Sequence, residues 1–239
     1  MGERAQVEAT AARKLGRVTG KHRAELRRLL GDPPDVSQVP ESFWAKVEKD
    51  TEEQVLALLL LMYIASASHH GGNREQAQPA ALAFATGRAR ETARGFVATS
   101  KRLAGNATSP ADAAVKVFGP DRIAKMVEHE SSRAVTEGAE VGIRAVEDEI
   151  KRDKGTSVEV VVRRYWSHSG RRPPRHSLAP IKPCPICSPL ERAGNRGVEI
   201  KDLPAPFRNG PPAHPRCDCF KRVVVFVDGK KTKQYKEFA

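Results

Sequence analysis

Aromatic residues are scarce in this chain, 13 of 239. A core without them is assembled from Leu, Val, Ile and Ala, which favours packed helices over large ring-filled interiors. Few rings are left on which single-stranded bases could stack. Long apolar runs are missing as well. The longest, VLALLLLMYIASA at 55–67, falls short of the roughly 20 residues that span a bilayer, so a buried helix is expected and no membrane partner. The first residues lack a charged segment followed by an apolar run and a small-residue cleavage site, so secretion is not expected and the compartment is read as reducing.

Several catalytic signatures are absent. None of the seven histidines is followed two residues later by Glu, which removes the proton-shuttling carboxylate a zinc nucleobase deaminase requires, although PCPIC matches the other half of that signature. HESSR at 129–133 has Arg133 where a metalloprotease helix needs its second histidine. There is no glycine-rich phosphate loop and no serine nucleophile elbow. No enzyme activity is expected. The alternative kept open is a zinc-containing nuclease or effector acting on nucleic acid, with His168, His176 or His214 as its base.

What the chain does have is unevenly distributed. Residues 1–150 carry 21 basic and 21 acidic side chains, whereas residues 151–239 carry 20 and 8, so the whole net charge of +12 lies in the C-terminal part. Such an excess attracts polyanions, either nucleic acid or an acidic protein surface. Residues 2–30 form a second basic stretch, with 8 basic and 3 acidic residues and no proline. We read 1–31 as an exposed, helical basic arm, either simply solvated or in contact with DNA.

The periodicity predicts a helical domain over 1–150. GDPPDVSQVP at 31–40 breaks the first helix, and a second should run from near Ser42 to HHGG at 69–72. His69 and His70 are read as helix-end histidines rather than metal ligands, because adjacent positions on a helix diverge. A third helix is expected within 74–104, starting near Pro79 and burying Ala81, Leu82, Ala85, Ala89 and Ala93. SPAD at 109–112 is a helix start, with Ser109 as N-cap, and Pro120 opens a long helix to about Ile150.

From 151 the pattern changes. VEVVVRRYW reads as a strand, and KRVVVFVDGKKTKQY as a hairpin with an Asp-Gly turn. Eleven of the 17 prolines lie beyond residue 150, so this part, read as a basic α+β module, cannot be long helices and is expected to consist largely of turns, loops and short strands. The fold class is therefore α+β: an N-terminal helical domain over 1–150, then a small, loop-rich, zinc-stapled module with a C-terminal hairpin over 151–239.

All four cysteines fall within CPICSPLERAGN (184–195) and PPAHPRCDCF (211–220). A CxxC knuckle supplies two thiolates from one turn, and tetrahedral zinc takes two further ligands from elsewhere in the chain. Cys184 and Cys187 are the first pair, and His214, Cys217 and Cys219 compete for the second. A set of four cysteines and a set of three cysteines with one histidine both remain open, and the zinc is expected to be structural. The prolines on both sides stiffen these loops and lower the entropy lost on ordering them. Arg163, Arg164, Arg171, Arg172 and Arg175 are the candidate contacts to phosphates or to an acidic surface.

The pieces DRIAKMVEHESSRAVTEGAEVG, RRYW, CPICSPLERAG and PPAHPRCDC, in that order over about 100 residues, resemble the phage Mu F-like head morphogenesis family. The family's helix often carries an Arg-Thr-Glu triplet where this chain reads Glu128, His129, Glu130 and Ser131. The resemblance implies a structural minor head protein of a tailed phage, several copies per virion, docked at or near the portal. It further implies contact with portal and major capsid proteins and non-specific contact with packaged double-stranded DNA. Residence would be in the phage head, and in the host cytoplasm during assembly.

Overall fold

The computed structural model describes residues 3–155, 157–168, 185–205, 207 and 219–235. Among these, the helices are α1 (Glu3–Leu29), α2 (Glu41–His69), α3 (Arg74–Gly105), α4 (Pro110–Phe118), α5 (Pro120–Lys154) and α6 (Cys187–Asn195). The strands β1 (Val160–His168), β2 (Cys219–Val227) and β3 (Lys230–Tyr235) form one antiparallel sheet in the order β1-β2-β3. The architecture is α+β and mostly helical, as expected. The switch from helix to strand lies between Lys154 and Val160, close to the predicted boundary. The compact units divide the chain differently: one comprises Met1–Met62 and Gln78–Ser131, the other Tyr63–Ala77 and Ser132–Ala239.

In the first unit, α1 is not a solvated arm. Leu15, His22, Leu26 and Leu30 are buried, at spacings that place them on one side of a helix. His22 Nε2 lies 2.9 Å from Asp50 Oδ2, and its ring meets Phe43 edge-on at 5.9 Å. The charge pattern had masked this apolar stripe. Residues Ala77, Ala81, Ala85, Ala89 and Ala93 of α3 are buried, one every fourth position, whereas Leu82, expected with them, is 52% exposed. The helix also begins earlier than Pro79. Asn73 Oδ1 accepts from the Glu75 N–H at 2.8 Å, so the cap lies one turn upstream and the proline occupies the second turn.

The start of α4 follows its sequence signature. Ser109 Oγ accepts from the Asp112 N–H at 3.1 Å, and the Asp112 carboxylate accepts from the Thr108 N–H at 2.9 Å. Arg122, two residues into α5, has no carboxylate partner among the described residues. Burial pushes its pKa down to about 10. It donates to Val117 O at 2.7 Å and to Phe96 O at 3.1 Å, and lies 4.1 Å from the Phe96 ring centroid, so carbonyl dipoles and a ring face replace a counter-ion.

In the second unit the end of α2 meets α5 at very close range. A Cβ on Gly138 would stand 2.2 Å from Tyr63 O, and one on Gly142 would stand 2.3 Å from Ala67 O. Ser66 Oγ donates to Val135 O at 2.7 Å across the same contact. His70 lies just past the end of α2, buried, with Nδ1–H donating to Ser66 O at 2.7 Å. It is a helix-end histidine, as expected.

Burial, reinforced by His69, holds the His70 pKa down at about 4, against the opposing pull of the Ser66 carbonyl and Glu140. Between pH 6.5 and 4 the unfolded chain therefore binds a proton that the folded chain refuses. Stability is intact above pH 6.5 and falls as the pH drops towards 4, by up to about 3 kcal/mol from this group. A His70→Gln variant should show a flatter dependence of unfolding free energy on pH over that window. Identical slopes for the two proteins would exclude His70 as the source.

The hairpin forms as its turn residues demand. Asp228 and Gly229 both take positive φ, 49° and 73°, the combination that matches the right-handed twist of the flanking strands. Between β1 and β2 the one α-helix among the described residues, α6, is short, nine residues, as a module without long helices allows. Pro189 stands in its first turn, where no backbone donor is needed. This region has a small core of its own: Trp166, Cys187, Leu190, Ile200, Leu203 and Cys219 form one buried cluster, flanked by Ala193 and Phe207.

Candidate metal centre and basic sheet

Cys187 opens α6 and Cys219 opens β2, and each is 2% exposed in the Trp166 cluster. One sulfur from each cysteine motif thus enters the same apolar environment. Gly194 makes this packing possible, since a Cβ there would stand 2.3 Å from Trp166 O, so α6 can lie directly on the β1 backbone. In the sheet, Cys219 is paired with His168. Cys184, His214 and Cys217 lie outside the described residues, as do Arg171, Arg172, Arg175 and His176. Among the described residues no group of three or more His, Cys, Asp or Glu is gathered as a metal shell. The two donors that are described, the sulfurs of Cys187 and Cys219, are of a type zinc takes as ligands.

Arg163 and Arg164 take opposite faces of β1, as neighbours in a strand must. Arg164 is committed to α5: its Nε donates to Glu140 Oε1 at 3.0 Å and Oε2 at 2.9 Å. Lys221 Nζ, from β2, reaches the same carboxylate at 3.0 Å. Burial alone would raise the Glu140 pKa, but the Arg164 hydrogen bond and the Lys221 charge outweigh it and hold the carboxyl below its usual value. Arg164 is therefore a positioning cation of the sheet rather than one offered to an outside anion.

Arg163 is different. Its side chain is 49% exposed, 5.0 Å from the Phe226 ring centroid and 3.9 Å from Glu199 Oε1. On the same face Arg222 stacks on Tyr165 at 5.0 Å and donates to Gly194 O at 3.1 Å. Two arginines placed over two rings are partly desolvated and pre-oriented. Tyr165, Arg222 and Phe226 were not singled out from the sequence. Alternation along VRRYW and KRVVVF was the available signal, because it places Arg163, Tyr165, Arg222 and Phe226 together and sends Arg164 to the other side.

Elsewhere, Glu130 of HESSR is bound in bidentate fashion by Arg88, with both contacts at 2.7 Å. Ser131 Oγ donates to Glu8 Oε1 at 2.6 Å, and Arg4 Nε donates to the same oxygen at 2.8 Å. These groups satisfy one another inside the helical unit. Compared with protein-family models, curated proteins and solved structures, the chain matches none of them.

Proposed function

We propose that the chain is a structural minor head protein of a tailed phage, docked at or near the portal inside the head and assisting assembly, DNA packaging or ejection. One observation supports this reading most. Trp166 of RRYW, Cys187 of CPICSPLERAG and Cys219 of PPAHPRCDC belong to one cluster, and Gly194 seats the helix of the second piece on the strand of the first. Three of the pieces that carry the family resemblance thus act as one structural element. Its basic character suits a polyanion, with Arg163, Arg171, Arg172 and Arg175 as the phosphate contacts.

In this reading zinc staples the module. Cys184 and Cys187 supply two ligands, and two of His214, Cys217 and Cys219 supply the rest. The metal offsets the burial of the thiolates and fixes the loops, and it takes no part in turnover. Purified protein should carry one zinc ion per chain by elemental analysis. A Cys184→Ser/Cys217→Ser variant should lose it and become the more protease-sensitive chain. Folded, metal-free wild-type protein would remove the zinc part of the proposal. The role itself is tested by mass spectrometry of purified virions, where the chain should be found among the head proteins, and its absence there rejects the role.

A further inference from the structure

Many charges of the helical unit are paired between helices, but one helix stands apart. Bases of α3 meet acids of α2: Arg94 with Glu48 at 3.5 Å, Arg90 with Glu52 at 3.6 Å, and Lys101 with Glu41 at 2.8 Å. Arg88 is bound by Glu130 and Glu91. On α1, by contrast, Arg13, Lys14, Arg17, Lys21, Arg27 and Arg28 are all exposed. Among the described residues none of these six takes part in an ion pair. The carboxylates of α1 that could oppose them turn away: Glu8 is buried against Arg4 and Ser131, and Glu25 faces Lys46 at 3.8 Å.

At 100° per residue the six cations occupy about 140° of the helix circumference and extend about 22 Å along it. The other exposed positions over 10–28 are Thr10, Gly16, Gly20, Arg23 and Ala24. A Cβ on Gly16 or Gly20 would meet nothing within 4 Å. The face therefore combines long cations with a smooth surface in which no apolar side chain exceeds alanine.

We propose that the solvent face of α1 is a docking surface for the phosphate backbone of duplex nucleic acid, distinct from the arginines of the C-terminal unit. An interface for a protein would need aromatic, Met or Leu anchors at its centre; α1 exposes none, and the one exposed leucine beside it, Leu61 of α2, lines a groove with Lys14 at the edge of the cationic arc. A membrane-surface helix would have to present its apolar side, yet Leu15, Leu26 and Leu30 are in the core. Single-stranded nucleic acid would call for stacking rings, also missing from this face. A regular rod of phosphates needs only spaced cations and room for close approach, so it is bound without sequence preference. The inference rests on the preceding reading only for packaged DNA as the natural ligand.

The test is fluorescence anisotropy of the full-length protein with a labelled DNA duplex, titrated with NaCl. Replacing three cations, Arg17→Gln/Lys21→Gln/Arg28→Gln, should lower the slope of log K against log salt by about 3, equally for duplexes of unrelated sequence. Far-UV circular dichroism verifies that the helices are intact. Should the triple variant fail to fold, Arg17→Gln and Arg28→Gln alone should each lower the slope by about 1. An unchanged slope overturns the proposal. If Arg163→Gln/Arg171→Gln/Arg172→Gln abolishes binding in the same assay, the C-terminal contact of the proposed function stands without α1. Binding to poly-glutamate as tight as to a duplex of equal charge would also overturn it, assigning the face to an acidic protein.

Discussion

Gly142→Val should destabilise the protein by about 3 kcal/mol in denaturant unfolding, a large part of the margin of an ordinary domain. Helix propensity alone predicts the opposite sign, because replacing a mid-helix glycine by a better helix former gains up to about 1 kcal/mol. Distance decides between the two. The added Cβ would stand 2.3 Å from Ala67 O and 2.9 Å from His70 Cβ, and a backbone carbonyl of a neighbouring helix cannot rotate away as a side-chain end can. The clash is relieved only by parting α2 from α5. That would stretch the Ser66–Val135 hydrogen bond and expose His70, which burial keeps neutral. Gly138, one turn earlier and 2.2 Å from Tyr63 O at the equivalent point, should behave in the same way. The control is Gly87→Ala on α3, where a Cβ meets nothing within 4 Å. It should stabilise by up to about 1 kcal/mol. If Gly142→Val proved as stable as wild type, the close crossing would be wrong.

The helices and the hairpin were legible because their signals are local. SPAD places an acceptor, a proline and a carboxylate where a first turn uses them, and Asp-Gly between two β-rich runs specifies its own turn. Local signals also misled. Charge on α1 drew attention to the outer face, while Leu15, His22, Leu26 and Leu30, spaced for the inner one, establish the helix as part of the core. The prolines after residue 150 ruled out long helices but could not place the short one, α6, in whose first turn Pro189 is tolerated. What sequence could not reveal is long-range pairing. Glu140 lies 24 residues before Arg164 and 81 before Lys221, and nothing in either neighbourhood shows that one carboxylate serves both cations. The burial of Cys187 and Cys219 around Trp166 is of the same kind: spacing shows that two motifs can share a metal, but only the fold shows that they share a core.

Removing the carboxylate of Glu130 should cost about 3–5 kcal/mol, the usual penalty for stranding one partner of a buried ion pair. The Glu130 side chain is 3% exposed and that of Arg88 16%. Arg88 donates to both Glu130 oxygens at 2.7 Å, and only its third contact, Glu91, reaches solvent. The hydrogen bond with Glu130 is the main reason the guanidinium holds its proton more tightly than usual, against the cost of burial. In Glu130→Ala the cation stays behind, desolvated, with a half-filled site beside it. Glu130→Gln keeps the shape and one hydrogen-bond acceptor, and should lose less. The decisive comparison is Arg88→Met/Glu130→Met, in which no charge is stranded and apolar volume fills the space. It should recover much of the loss and give a coupling energy well above the error of a double-mutant cycle. Additive losses would mean that the two side chains act independently and that the bidentate geometry contributes nothing. The same geometry gives HESSR a structural part in the fold: both Glu130 oxygens are taken by Arg88 inside the helical unit.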